Sequence, residues 1–381
     1  VFILSLGPPP HEISAQDTNP GSSNEWDVTA PRGETREIEF TTSEGTWMSV
    51  DIFPDGASLV FDLLGHIYRL PTSGGEAKSL TQNSGVAVNF HPSISPDGST
   101  IAFISDRGGQ TNLWLMDSDG SNPRPVFESQ IDRAWEPAWS PDGRFIVVRR
   151  ASTKRGGGGS DPGLWMYSRD GGEGIQLIGS TYSGAAWPSF SPNGESLFFQ
   201  ISMTPPGTWS GRADVTQGHK QIRRLNLESG RVDEITSGVA VQQGQTSSGG
   251  AIAPEISPNG RWLAFARRIP DGTISHKGRK FGPRTALWLR DLHTGAERVV
   301  MDPIEVDMAE GMKVSRDLPG YSWDDDGSSI IIAQGGKIRR VNIASGEVTT
   351  IPFTARVQRT ISEMAGRPGT LAENTFMVKF P

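Results

Sequence analysis

The sequence predicts an all-β protein, a closed ring of six blades that are each a four-stranded antiparallel sheet. Three observations predict it. The phrase Ser-Pro-Asp-Gly, or a near copy, followed by a β-branched or aromatic run, recurs six times along 381 residues. Each copy is succeeded by an alternating strand, a Gly-containing turn and another short strand. No helical period survives more than a turn or two between residues 46 and 352.

The copies are "DIFPDGASLVF", "SISPDGSTIAF", "AWSPDGRFIVV", "SFSPNGESLFF", "EISPNGRWLAF" and a worn sixth, "YSWDDDGSSIII". Their turn prolines are Pro54, Pro96, Pro141, Pro192 and Pro258, with Asp325 in that place in the last copy, so the spacings are 42, 45, 51, 66 and 67 residues. A period of this size marks a repeat architecture. Proline presets φ for the second position of a type I turn. The Asp or Asn that follows bonds its local backbone, and Gly accepts a positive φ without a Cβ clash. Each copy therefore joins two antiparallel strands. The next two strands read from segments such as "NLWLMDSDGSNPRPVF" and "KIRRVNIASGEVTTI". Four short strands with short connections fill roughly 45 residues, and four-stranded units repeated radially make a propeller.

Composition agrees. There are 46 Gly, 27 Pro and 11 Trp, which suits one large β-rich domain. A net charge of −7 argues against general nucleic-acid binding, and no apolar run approaches the roughly 18 residues of a membrane-crossing helix. The absence of cysteine removes disulfides and thiolate metal sites.

The ends read differently from the middle. Residues 1–33 divide into an apolar "VFILSL", read as the remnant of a secretory signal with cleavage after Ala15, and a polar linker; a disordered leader is the alternative. This places the protein in the periplasm or outside the cell. The propeller is expected over residues 34–353, with "TREIEF" (residues 35–40) completing the last blade beside residues 347–352. Residues 354–381 read as a linker and the start of a truncated following domain.

The blades resemble the TolB-type propeller repeat, whose strand, Ser-Pro-Asp-Gly, strand, Leu-Trp strand and Asp-Gly pattern is matched from Ser95 to Gly120. Over residues 46–365 the chain further resembles the N-terminal propeller region of large exported bacterial amidohydrolase-like proteins. That resemblance implies a downstream metal-dependent hydrolase domain. Similar blades occur in TolB itself, in prolyl-oligopeptidase relatives and in tricorn-like proteases, so it implies the fold more firmly than an activity.

No catalytic, metal or cofactor site is expected within these residues. The six histidines form no HxH or HExxH pair, and GxSxG and Walker motifs are absent. "RGGGGSDPG" lacks the Gly-Lys-Ser/Thr ending of a phosphate loop, and "SWDDDGSS" aligns with the hairpin turns rather than with a calcium loop.

Binding is expected at the face where the connections are long. Basic loop residues there, including Arg149, Arg150, Arg267 and Arg284, either dock an anion or pair with the acidic 302–317 connection. The first strand of each blade lines the channel, so residues entering it point to the channel mouth. The candidate binding residues are His91, Trp135, Glu136, Trp187 and Glu255, suited to a protein or peptide partner, the missing C-terminal domain included. The alternative is that Trp135 and Trp187 pack between blades. Two functions follow: a non-catalytic propeller that mediates interaction or gates substrate for a downstream hydrolase, or a TolB-like interaction module or peptidase propeller.

Overall fold

The structure is a computed structural model. It describes residues 28–31, 33–152, 162–182, 184–202, 220–237, 249–269, 274–276, 279–281, 284–305 and 318–362. Most of the expected leader and linker (1–33), most of the longest connections, and residues 363–381 of the expected linker and following domain (354–381) lie outside these.

Among the described residues every regular element is a strand. Six four-stranded antiparallel sheets follow in chain order, spanning residues 50–79, 89–125, 132–178, 186–234, 249–301 and 322–351, and are called blades 1 to 6. Blade 5 adds a short hairpin, Ile274–His276 with Arg279–Phe281.

The repeated phrase is the inner hairpin turn, and its chemistry explains its wording. In blade 2, Gly98 takes φ 68° and its N–H donates to the Ser95 carbonyl. The Ser95 hydroxyl donates to Asp97 at 2.5 Å and accepts the Thr100 N–H at 3.0 Å, while Asp97 accepts the Ser99 N–H at 2.9 Å. Serine, carboxylate and glycine thus satisfy the turn's backbone among themselves. The same set recurs with Ser140/Asp142, Ser191/Asn193 and Ser257/Asn259. In the worn sixth copy Asp324 takes the place of serine and accepts the Ser329 N–H at 2.9 Å.

The hydrophobic core lies between adjacent blades. Second and third strands bury runs such as Thr100–Ser105 on both faces, and the clusters they form join neighbouring sheets.

Ring closure differs from the sequence expectation. "TREIEF" belongs to a strand, Thr35–Thr42, but it pairs with Phe353–Ser362 rather than with residues 347–352. Phe353–Ser362 in turn runs parallel to the outer strand of blade 1, with Phe353 opposite Gly75 and Ala355 opposite Ala77. The reason is that blade 6 supplies its own outer strand, Val348–Ile351, and offers no vacancy. The chain leaving it straps blade 1 instead, continuing past the boundary placed at residue 353. Its alternating face, Phe353, Ala355 and Val357, is buried against Phe61, Tyr68 and Ile351. The Tyr68 hydroxyl donates to the Arg356 carbonyl at 3.1 Å, and the Arg359 guanidinium sits 3.2 Å from His66 Nε2. Burial, then the Arg359 charge, pushes His66 down to about 4, so it is neutral there.

The strap carries stability and the outermost strand does not. Phe353→Ala empties a buried aromatic site and lowers the unfolding free energy by ~3 kcal/mol in urea denaturation. Phe40→Ala, on the strand that is 43% exposed there, changes it by less than ~0.5 kcal/mol. Equal effects would contradict a load-sharing strap.

Candidate functional site: a one-ended central channel

The inner strands of blades 2 to 5 each carry a kink that decides what faces the channel. His91, Glu136, Trp187 and Ala253, each directly before a proline, have φ of 52°, 57°, 54° and 52°. Proline disfavours the right-handed helical region for the residue before it, and a left-handed conformation at a non-glycine residue costs about 1–3 kcal/mol. The ladder shifts register at all four places, a β-bulge in each inner strand.

Most of these bulges are held by the preceding blade. The His91 N–H donates to Asp62 at 2.7 Å, the Trp187 N–H to Glu136 at 2.9 Å and the Ala253 N–H to Gln200 at 2.9 Å. At the seam between blades 6 and 1, the Gly320 N–H donates to the Ser49 hydroxyl and the Val50 N–H to the Gly320 carbonyl.

At this level described residues meet across the channel. The His91 and Trp187 rings, from blades 2 and 4, stand 5.4 Å apart at a 50° tilt. His91 also touches blade 6, where a Cβ on Gly320 would lie 3.1 Å from its Nε2. Three alternate blades therefore meet on the axis. Trp187 is 2% exposed and packs with Ile252, Ala253, Tyr321 and Trp323.

Below it lies a cavity of about 250 Å³ walled by all six blades. Its wall includes one residue from each inner strand at the same repeat position: Asp51, Ser93, Ala138, Ser189, Glu255 and Ser322. Pro96 and Pro141 of the hairpin turns form its rim, so it opens on the tight-turn face. Among the described residues no lysine or arginine lines it, and His91 is the one basic side chain there.

Two wall residues are carboxyls. Asp51 accepts the Ile94 N–H of blade 2 at 2.7 Å and the Ile52 N–H at 2.9 Å, and bonds the Ser322 side chain. Glu255 accepts the Ser189 hydroxyl at 3.0 Å, and that hydroxyl accepts the Ile256 N–H. Burial pushes Asp51 up to about 6 against its hydrogen bonds. Burial, and secondarily the Asp51 charge, pushes Glu255 up to about 8. Tyr321, beside them, is held well above its ordinary value by burial and by Glu255.

The sequence-predicted residues thus fall into three places. Glu255 is on the channel wall and His91 at its inner end. Trp187 and Glu136 form the closed layer, Glu136 being 2% exposed, with its carboxylate on the Trp187 N–H and 3.3 Å from Arg149. Trp135 stands apart, half-buried with the Arg149 guanidinium 4.5 Å over its ring. Sequence reasoning missed Asp51, Ser189 and Ser322, which aligning the repeats three residues before the turn proline would have found.

Several residues of the basic loops have partners within the fold. Arg150 pairs with Asp132 at 2.5 Å, Arg267 with Glu297 at 2.8 Å and Arg284 with Asp302 through two bonds. Of the expected acidic connection only Asp302 is seen pairing this way; residues 306–317 are outside the described set.

The fold defines a six-bladed β-propeller, and part of the chain is similar to TolB-type propellers. Residues 32–207 match the TolB beta propeller domain family. The chain is 26% identical over 209 residues to the uncharacterized peptidase YuxL of Bacillus subtilis, covering 47% of this chain and 29% of that one. It is 26% identical over 258 residues to an uncharacterized protein of Agrobacterium fabrum, covering 65% and 75%. The structure of TolB from Acinetobacter baumannii superposes with a TM-score of 0.54 at 14% identity, over 81% of this chain and 65% of that one. The chain thus spans under a third of the peptidase's length.

The wall carboxyls make stability depend on pH. Glu255 binds its proton more tightly folded than unfolded, where its ordinary value is 4.5. The folded state therefore holds the extra proton between about pH 5 and 8, and stability falls as pH rises through that window. Glu255→Gln removes the fall and stabilises the protein by on the order of 3 kcal/mol at about pH 9, with little change near pH 5. Urea midpoints across pH read this directly; parallel wild-type and variant profiles would contradict it.

Proposed function

We propose that the propeller is a non-catalytic binding module that receives a protein or peptide segment end-on through the tight-turn mouth of its channel. The observation that carries this is the cavity itself: polar-walled, built by all six blades, and lined at its inner end by His91, whose ring packs on Trp187 behind it. Concave sites with a few convergent polar groups are where ligands are held. In this reading Glu255 and His91 contact the segment. Trp187 and Glu136 shape the floor, and Trp135 contributes nothing to it.

The setting we propose is an exported protein, periplasmic or secreted, in which the propeller organises access to a downstream amidohydrolase-like domain. Among the described residues no helix is long and apolar enough to cross a membrane. A second setting, the propeller of a peptidase, is favoured by the match to the Bacillus subtilis peptidase. The sequence encoded beyond Pro381 separates them: an HxH-containing barrel supports the first and a serine-hydrolase domain with GxSxG the second.

A display library of random peptides, panned on the full chain, tests the binding role. Enriched peptides should lose roughly tenfold or more in affinity for Ser93→Trp, which fills the cavity, with the thermal midpoint preserved. Peptides that bind wild type and Ser93→Trp alike would place binding elsewhere.

A further inference from the structure

The wall of the channel is chemically lopsided. It presents two carboxyls from blades 1 and 5, with the Ser322 hydroxyl of the intervening blade 6 beside them and Ser93 and Ser189 around the ring. A buried carboxylate is ordinarily matched by a cation or neutralised by a proton, because leaving it charged and unpaired in a low-dielectric site is costly. Elsewhere in this fold several buried or half-buried acids are matched by arginines: Asp132 by Arg150, Glu136 by Arg149, Glu297 by Arg267 and Arg290, Asp291 by Arg261. Around the turns at the rim, Asp97 and Asp142 are matched too, by Arg169 and Arg144. On the channel wall no lysine or arginine among the described residues does this for Asp51 and Glu255, which line the cavity.

We propose that the channel is a socket for a primary ammonium group, the tip of a lysine side chain or the amino terminus of a partner segment, held between Asp51 and Glu255. This rests on the reading of the channel as the binding site and adds the chemistry of what fills it. A primary ammonium has three donors and no acceptor. Two carboxylates and a neighbouring serine hydroxyl, all on the cavity wall, can accept those three. A divalent cation is the poorer fit, since calcium takes six to eight oxygens and the wall offers two carboxyls and neutral hydroxyls.

The titratable groups facing the socket are Asp51 and Glu255 on the wall, Tyr321 beside Glu255 and His91 at the floor. Without a ligand, protons on the carboxyls stand in for the missing cation. The incoming ammonium keeps its own protons, and a carboxyl proton leaves to solvent as the ion pair forms. Affinity therefore rises with pH as the wall ionises, and binding near neutrality releases a proton.

Calorimetric titration of the full chain with acetyl-Gly-Lys-Gly-amide tests this, with the norleucine and arginine peptides and Gly-Gly-Gly-amide alongside. The lysine peptide should bind roughly tenfold tighter at about pH 9 than at about pH 6. The free-amino triglycine, whose own ammonium is lost above about pH 8, should instead bind tightest at about pH 7 to 8 if the amino terminus is the natural source. The heat of binding at about pH 7 should vary with the buffer's ionisation enthalpy as proton release requires. Glu255→Gln should lose this pH dependence while unfolding cooperatively at an unlowered midpoint, and Asp51→Asn should weaken the same peptide. Norleucine binding as well as lysine would sink the ammonium socket while leaving the channel as a binding site, which the Ser93→Trp comparison tests separately. Arginine binding as tightly as lysine, calcium chloride displacing the peptide, or no binding by either amine would each overturn the proposal.

Discussion

The structure turns on one backbone constraint, the left-handed residue before proline in the inner strands of blades 2 to 5. That conformation is unfavourable in isolation and survives because its surroundings enforce it. Asp62, Glu136 and Gln200 reach out from the preceding blade to bind the exposed N–H of His91, Trp187 and Ala253. The same contact does three things. It ties one blade to the next on the axis, it bends the inner strand, and it turns His91 and Trp187 across the channel so that one end is shut. The seam between blades 6 and 1 uses Ser49 and Gly320 for the same purpose, and a Cβ at that glycine would be crowded by His91 and Ser49.

Closing one end sets the electrostatics of the other. A through-channel would hydrate Asp51 and Glu255 from both sides. A blind one leaves them facing each other in restricted solvent, with hydrogen bonds from Ile94 and Ser189 that only partly offset the burial. The propeller thus tolerates a destabilising pair at its centre, a pattern expected where a site is kept ready for a ligand rather than optimised for stability. The outer strap is the counterpart at the rim, adding buried contacts of Phe353, Ala355 and Val357 to blade 1.

Much of the fold was legible because the Ser-Pro-Asp-Gly chemistry is local. Each residue of the turn acts on backbone within a few positions, so the phrase means the same thing wherever it occurs. The strap was not legible in that way. Residues 353–357 alternate buried and exposed as a strand should, yet nothing nearby in sequence announces a parallel partner some 280 residues earlier. The site was half legible. Reading residues that enter the inner strand found His91, Glu136 and Trp187, and Glu255 lay one strand-step further in. A bulge, however, adds a residue and breaks the simple alternation of faces. Trp135 and Glu136 are neighbours that part company, one stacked under Arg149 and the other turned to blade 4. Asp51 escaped because its copy of the repeat lacks the preceding proline that marked the others.

The central claim is a channel open at the tight-turn face and shut at the layer of His91 and Trp187. The chain has no cysteine, so single substitutions report cleanly. Ser93→Cys on the wall should react with a small cationic methanethiosulfonate at a rate near that of an unstructured thiol, and faster than with an anionic one. Ala253→Cys, in the closed layer, should stay protected until the protein unfolds. Rapid modification at position 253 with protection at position 93 would mean that the channel opens the other way, and the account would be wrong at its centre.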